Sequence, residues 1–301
     1  MNEVFIDVKD QSHILMNCNG AVLDRQSQNN IFVQAFLTGT PECKLVVNDI
    51  ESALRAAATK GQPPLSMNQQ VRLTNTVLHP CVDSDTFTNQ REIVFHPIDG
   101  AMFELLHCNV IPKVSPPINV SALVEYNEVT HVVRISANFT VKKKLNLSIR
   151  PVTDLVFKFP IPPAWHHLMA GTRFGRSKSV RSTGGIRGSF RRKIRNDSCS
   201  VEVQFGSAKF EKAHGAIMWR VGTYHTTSLP HRFEATIRLE AGMERPDLMS
   251  QHAEVFYHIP GNSTGFTVRG LKVAACDPSK WVKYDIHYHY KVQMFPDLSI
   301  D

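Results

Sequence analysis

The sequence predicts a mostly β protein of the antiparallel sandwich class. Short runs rich in Val, Ile and Phe recur along the chain, several alternating apolar and polar residues with a period of two, as strands with one buried face do. Asn-Gly, Asp-Gly and Pro-Gly-Asn turns separate these runs, and only one stretch has a helical pattern. Many short strands with few helices bury their apolar faces by stacking sheet on sheet. At 301 residues the chain suffices for one large domain or two of ordinary size.

The elements follow in order. Val4-Phe5-Ile6-Asp7-Val8 opens the chain as a strand, and Asn19-Gly20 marks a turn. Ile31-Phe32-Val33-Gln34-Ala35-Phe36-Leu37 is a second strand that stops at Thr38-Gly39. Residues 49–58 (DIESALRAAA) form the helical candidate, with Asp49 as its cap and Gly61 and Pro63-Pro64 as its end. Asp99-Gly100 and Pro260-Gly261-Asn262 are further turns. Residues 132–139 have mixed alternation, whereas Val201-Glu202-Val203-Gln204-Phe205 and Phe233-Glu234-Ala235-Thr236-Ile237-Arg238-Leu239 alternate cleanly. The proline-rich PKVSPP at 112–117 and AGMERPDLMSQ at 241–251 read as boundaries. Residues 171–189 are rich in Gly, Ser and Arg and poor in bulky apolar side chains, so a long mobile loop is expected there.

Composition narrows the function. The chain is 42% hydrophobic and 20% charged, the balance of a soluble globular protein. It has no run of the roughly 20 apolar residues that spans a bilayer. The start, MNEVFIDVKDQ, lacks the basic and apolar regions of a secretory leader, so none is expected. Six cysteines (18, 43, 81, 108, 199 and 276) form no CxxC pair, which fits reduced thiols in the cytosol. The Asn-x-Ser/Thr triplets at Asn119, Asn138, Asn146, Asn196 and Asn262 are then read as products of a β-rich composition. No nucleophile elbow, P-loop or dinucleotide fingerprint is present, and residues 184–189 (GGIRGS) lack the ending of a phosphate-binding loop. Of the 14 histidines, His287 and His289 could share a strand face, and His166 and His167 are adjacent, but spacing places no third ligand beside either pair. Asp83 and Asp85 read as a solvated turn after Cys81. No catalytic residue, metal or cofactor is expected.

The net charge of +7 is local. Nine cations, Arg173, Arg176, Lys178, Arg181, Arg187, Arg191, Arg192, Lys193 and Arg195, lie in one segment without an acidic residue. The rest of the chain has 25 Lys and Arg against 27 Asp and Glu, so it is slightly acidic. Such a segment needs an anionic partner nearby. Only Phe174 and Phe190 could stack on bases, so nucleic acid is not expected. The expected contact is anionic phospholipid or an acidic face on a protein.

A set of motifs then carries a resemblance. In order, these are Asn2-Glu3-Val4-Phe5-Ile6-Asp7-Val8, Leu37-Thr38-Gly39-Thr40-Pro41-Glu42-Cys43-Lys44, Asn48-Asp49, Phe95-His96-Pro97-Ile98-Asp99-Gly100 and Phe103-Glu104-Leu105. Phe157-Lys158-Phe159-Pro160-Ile161-Pro162, Ala216-Ile217-Met218-Trp219-Arg220-Val221 and Lys280-Trp281-Val282-Lys283-Tyr284 follow. The ordered series resembles the mu-homology domain, the C-terminal cargo-binding half of clathrin-adaptor medium chains. The basic insertion, Trp165-His166-His167 and residues 284–294 look more like the stonin family. Full stonins carry a long N-terminal region, so a fragment or short form is expected.

The resemblance implies two elongated antiparallel β-sandwich subdomains, the second inserted into the first. The boundary signals then give subdomain A at 1–115 and 253–301, and subdomain B at 116–252 with its basic loop at 173–195. It also implies a non-enzymatic endocytic sorting adaptor that binds cytoplasmic domains of vesicle cargo, synaptotagmin among them. Expected partners are the plasma-membrane clathrin adaptor complex and its accessory proteins, and the expected place is cytoplasmic, peripheral at the plasma membrane, coated pits or synapse. Medium chains bind tyrosine-x-x-hydrophobic peptides as an added strand. Their tyrosine-binding positions match Phe5, Asp7 and Trp281, and the wall of their hydrophobic pocket matches Ile6 and Val282. Two cationic positions have changed, to Lys283 in place of Arg and Gln34 in place of Lys. Lysine lacks the planar stacking surface of arginine, so a degenerate tyrosine-signal site is expected. A medium-chain-like module that still binds linear tyrosine signals is the rival reading.

Overall fold

The computed structural model describes residues 2–60, 70–112, 115–142, 151–176, 198–224, 231–243, 252–261, 265–274 and 276–295. The elements run β1 (Glu3–Met16), β2 (Val22–Phe36), β3 (Cys43–Val47), α1 (Ile50–Lys60), β4 (Leu73–Leu78), α2 (Ser84–Gln90), β5 (Ile93–Phe95), β6 (Met102–Val110), β7 (Ile118–Asn127), β8 (Val132–Val141) and β9 (Val152–Pro160). A 3₁₀ segment (Pro163–Gly171) leads to β10 (Arg173–Arg176), β11 (Cys199–Val203), β12 (Ser207–Glu211), β13 (Ala216–Tyr224), β14 (His231–Arg238), β15 (His252–Pro260), β16 (Val268–Val273) and β17 (Ser279–Gln293). The mostly β, sandwich-class expectation holds, and each quoted alternating run lies largely within a strand.

The chain folds as two compact units. The first comprises Met1–Ile14, Asp24–Pro117 and His258–His289. Its larger sheet has the order β17-β1-β2-β6-β4, with the end of β15 on the far side of β17, and its smaller sheet is β16-β3-β5. Alternation explains how the two faces meet. Val4, Ile6 and Val8 of β1 and Ile31, Val33 and Ala35 of β2 are buried against Cys43 and Leu45 of β3, Ile93 and Phe95 of β5 and Leu271 of β16. Burying one such side chain contributes about 1.5–3 kcal/mol, so a one-residue slip that turned β1 inside out would expose three of them.

The second unit comprises Leu15–Leu23, Ile118–Tyr257 and Tyr290–Asp301. It pairs the strand order β12-β13-β9-β15 with a five-stranded sheet, β10-β11-β14-β8-β7. Its core is aromatic. Phe157 and Trp219 stack at 4.5 Å on one sheet, Phe159 stacks on Phe233 of the other at 4.3 Å, and Phe139 packs against Phe157 at 5.4 Å. Gly206 turns the chain from β11 to β12 at φ +77°, and a Cβ there would sit 2.3 Å from the Arg220 carbonyl oxygen. Only glycine fits both constraints.

Three local expectations change. Residues 83–90 are not a plain solvated turn: Asp83 caps α2, accepting from the N–H groups of Asp85 (3.0 Å) and Thr86 (3.1 Å). The 3₁₀ segment after β9 is a further element beyond the single predicted helix. The basic stretch does not begin as a loop, because residues 173–176 form β10, paired in parallel with β11 from Arg173 opposite Ser200 to Arg176 opposite Val203. Backbone bonds to an existing strand carry a sequence with little strand propensity of its own. Lys178, Arg181, Arg187, Arg191, Arg192, Lys193 and Arg195, and the expected mobile loop that holds them, lie outside the described residues.

Candidate peptide-binding face

The candidate residues sit on three neighbouring strands of the first unit, β17, β1 and β2. Ser279 N donates to Asn2 O at 3.0 Å near the start of β17 and β1, and His13 meets His289 near the end of both, ring centroids 5.5 Å apart. The two strands therefore run in the same direction. The register that pairs His13 with His289 sets Phe5 level with Trp281 and Asp7 level with Lys283.

The two-residue period sorts the side chains by face. On β1, Ile6 is 1% exposed and belongs to the core, while Phe5 and Asp7 point to the opposite face and are half-buried. On β2, Val33 and Ala35 are buried, and Gln34 and Phe36 face outward. On β17, Trp281 is 59% and Val282 42% exposed, and Lys283 is exposed. Phe5, Asp7, Gln34, Trp281 and Lys283 thus share one outer surface. Ile6 faces the core and does not line that surface.

Two contacts fix this surface. The Phe5 ring packs edge-on to Phe36, with centroids 6.3 Å apart and planes at 84°, the arrangement that ring quadrupoles favour. The Gln34 side-chain amide donates to the Gly100 carbonyl at 2.9 Å, tying β2 to the turn at φ +70°. Gln34 thus has a structural partner where the resemblance has a lysine. On the same face, Lys9 lies over the Phe32 ring at 4.7 Å.

Among the described residues, strand ends leave an edge beside Trp281. β15, which flanks β17, stops at Pro260, and Gly261 N donates to Tyr284 O at 2.9 Å. Trp281, Val282 and Lys283 lie on β17 past that point. The Tyr284 hydroxyl accepts from Val268 N at 2.9 Å, and its half-buried phenol has a pKa raised by loss of solvent. Among the described residues no strand pairs with β17 there, and a strand edge flanked by large apolar side chains can take an extended peptide as an added strand.

The Adaptor complexes medium subunit family matches residues 1–294. The chain belongs to that family. Human Stonin-2 is 28% identical, over 97% of this chain and 34% of its own length. Drosophila melanogaster stoned-B is 28% identical, over 97% of this chain and 25% of its own. The Dictyostelium discoideum AP-2 complex subunit mu is 24% identical, over 94% of this chain and 58% of its own. The chain therefore spans about a third and a quarter of the two stonin relatives. Among solved structures, the Danio rerio Fcho1 mu homology domain with bound Eps15 peptide aligns with a TM-score of 0.56 at 10% identity, covering 96% of this chain and 97% of that one. The yeast delta-COP-I mu-homology domain complexed with a Dsl1 WxWxV peptide aligns at 0.51 with 11% identity, covering 98% of both chains. This family member thus has the mu-homology fold.

The fold also assembles a group that spacing did not reveal. His258 of β15 bonds Asp285 of β17 through Nε2 and Oδ1, and His287 Nε2 lies 3.7 Å from Asp285 Oδ2. The signal available in sequence was the Asp285-x-His287 alternation. Its third member was invisible because only strand pairing brings residue 258 alongside.

Proposed function

We propose that this chain is a non-enzymatic endocytic sorting module that binds cytoplasmic domains of vesicle membrane cargo, synaptotagmin-like proteins among them. It would act in clathrin-mediated endocytosis and synaptic vesicle recycling, with the plasma-membrane clathrin adaptor complex and its accessory proteins. Its place would be cytoplasmic and peripheral, at the plasma membrane or synapse. Family membership and the stonin relatives support the setting. The observation that carries the binding mode is the exposed Trp281–Val282 pair on a strand that outruns its neighbour, beside Phe5 and Asp7. We take the two compact units to be the subdomains of the family fold, with the C-terminal strand returning to the first.

The test is a pulldown of synaptotagmin cytoplasmic domains with the chain and with Trp281→Ser. A large exposed aromatic at a binding centre is a common hot spot, costing about 2 kcal/mol or more on truncation, so capture should fall by tenfold or more. Equal capture by both proteins would remove this face from cargo binding.

The shared surface of Phe5, Asp7 and Trp281 favours a second reading, a medium-chain-like site for tyrosine-x-x-hydrophobic peptides. With Gln34 engaged by Gly100 and lysine at position 283, such peptides should bind weakly or not at all. A titration showing low-micromolar binding that is lost in Asp7→Ala would make the second reading the better one.

For the cations at 173–195 the proposed contact is anionic phospholipid, with each Lys or Arg near the surface contributing about 1 kcal/mol. Neutralising Arg191, Arg192, Lys193 and Arg195 should weaken co-sedimentation with anionic liposomes, and raised salt should do the same. Unchanged sedimentation would leave the segment without a lipid role.

A further inference from the structure

The first unit carries a second cluster on the outward face of β17, in series with Trp281 and Lys283. Asp285 and His287 are two residues apart, so both project from that face, and His258 reaches them from the adjacent strand β15. His258 Nε2 is hydrogen-bonded to Asp285 Oδ1, and His287 Nε2 lies 3.7 Å from Asp285 Oδ2. The two imidazoles stack with centroids 4.9 Å apart and planes at 25°. The three nearest ligand atoms, two ring nitrogens and one carboxylate oxygen, all lie within 4.8 Å of one another.

We propose that His258, Asp285 and His287 form a binding site for a single zinc-class divalent cation. A cation about 2.0–2.2 Å from each ligand needs ligand atoms a little over 3 Å apart, which small χ rotations of surface side chains supply. The donor set selects the ion. Two imidazoles and one carboxylate suit Zn²⁺ and the neighbouring late first-row ions, whereas Mg²⁺ and Ca²⁺ require mainly oxygen ligands. A cation also offsets the carboxylate charge and holds both rings in place, where the Asp285 hydrogen bond now holds one.

Exposure determines what the site can do. The side chains of His258 and Asp285 are each 25% exposed, and that of His287 is 59% exposed. Three protein ligands on an open sheet face leave a fourth coordination position toward solvent. That position could take a carboxylate or imidazole of a partner laid along β17.

The site is independent of the peptide reading, and its test does not use peptide or cargo. The full chain is freed of metal with a chelator, then titrated with Zn²⁺ by calorimetry and with Co²⁺ by visible absorption. The expected result is one ion per chain and Co²⁺ bands of a four- or five-coordinate centre. Asp285→Asn, His258→Ala and His287→Ala should each weaken Zn²⁺ binding by at least about tenfold, the loss commonly seen when metal-site residues are changed. His214→Ala, on the second unit, should leave it unchanged. The His287 variant removes an exposed side chain and should keep the parent circular dichroism, so it decides the matter if the Asp285 variant fails to fold. Absence of Zn²⁺ binding, or equal affinity in His287→Ala and the parent, overturns the proposal.

Discussion

Trp219 shows how much one side chain can hold. It is fully buried, stacks on Phe157, packs against Phe139 and Phe233, and donates its indole N–H to the Phe205 carbonyl at 2.7 Å. Trp219→Ala should destabilise the second unit by about 3–5 kcal/mol in urea titrations. Trp219→Phe should cost less, since the ring remains and only the Phe205 carbonyl loses its donor. The buried thiols predict a pH effect. Burial raises the pKa of Cys43 to about 11 and of Cys108 to about 12, from an ordinary value of 9.0. Well below pH 9 these thiols are neutral in both folded and unfolded chains and contribute no pH dependence. Above it the unfolded chain ionises first, so stability falls as pH rises. The fall in urea midpoint between pH 9 and 10.5 should be shallower in Cys108→Ala than in the parent, each measured against its own value at pH 8. At this scale the sequence indicated reduced cysteines and an apolar strand face well. It could not separate Ile6 from Phe5 and Asp7 as pocket residues, because that requires knowing which face of β1 meets the smaller sheet.

Arg91 joins the two helices through two ion pairs, to Asp49 and to Glu51, the latter at 3.2 Å. Asp49 accepts from Glu51 N at 3.3 Å at the start of α1, and Arg91, in the left-handed region at the end of α2, reaches it through Nε at 3.2 Å. The two side chains are 2% and 14% exposed. Desolvation raises the Asp49 pKa, with Arg91 pulling the other way, so the carboxylate depends on its partner. Arg91→Met should cost about 3–5 kcal/mol, since it strands a buried charge. The Asp49→Asn, Arg91→Met double variant should cost less than the sum of the single changes in the same denaturation assay. α1 was legible from its alanine-rich pattern and the Asp49 cap. α2 was not, because SDTFTNQ buries only Phe87 and consists of weak helix formers. Its stability rests on Asp83, whose pKa is lowered by the Thr86 hydroxyl and N–H. That contribution is fully present above the ordinary value of 3.8 and is lost as pH falls through the lowered value. Asp83→Ala should lower the melting temperature at pH 7 and have a smaller effect at pH 3.

At the scale of the whole molecule, β17 contributes residues to both units. It supplies Ile286, Tyr288, Tyr290 and Val292 to buried positions, and it continues into Met294, whose carbonyl accepts from Val124 N at 2.9 Å. Residues 279–289 belong to the first unit and 290–293 to the second. A chain ending at residue 278 should therefore fail to give a cooperative thermal transition, whereas one ending at 295 should melt like the parent. The strand inventory of both units could be read from alternation and turns. The return of the C-terminus to β1 could not, because no local pattern encodes a partner nearly three hundred residues away. The ordered motif series supplied that expectation, and the basic segment could be read only as charge.

The pairing of β1 with β17 also affects the order of assembly. β1 is made some 276 residues before its neighbour. At about 5–20 residues per second, the gap between them corresponds to roughly 15–60 s of translation. During that interval Val4, Ile6 and Val8 have β2 beside them but lack the strand that flanks them on the other side. Contacts so distant in sequence also close slowly once both strands exist. The nascent protein thus carries an open apolar strand edge until β17 has been made.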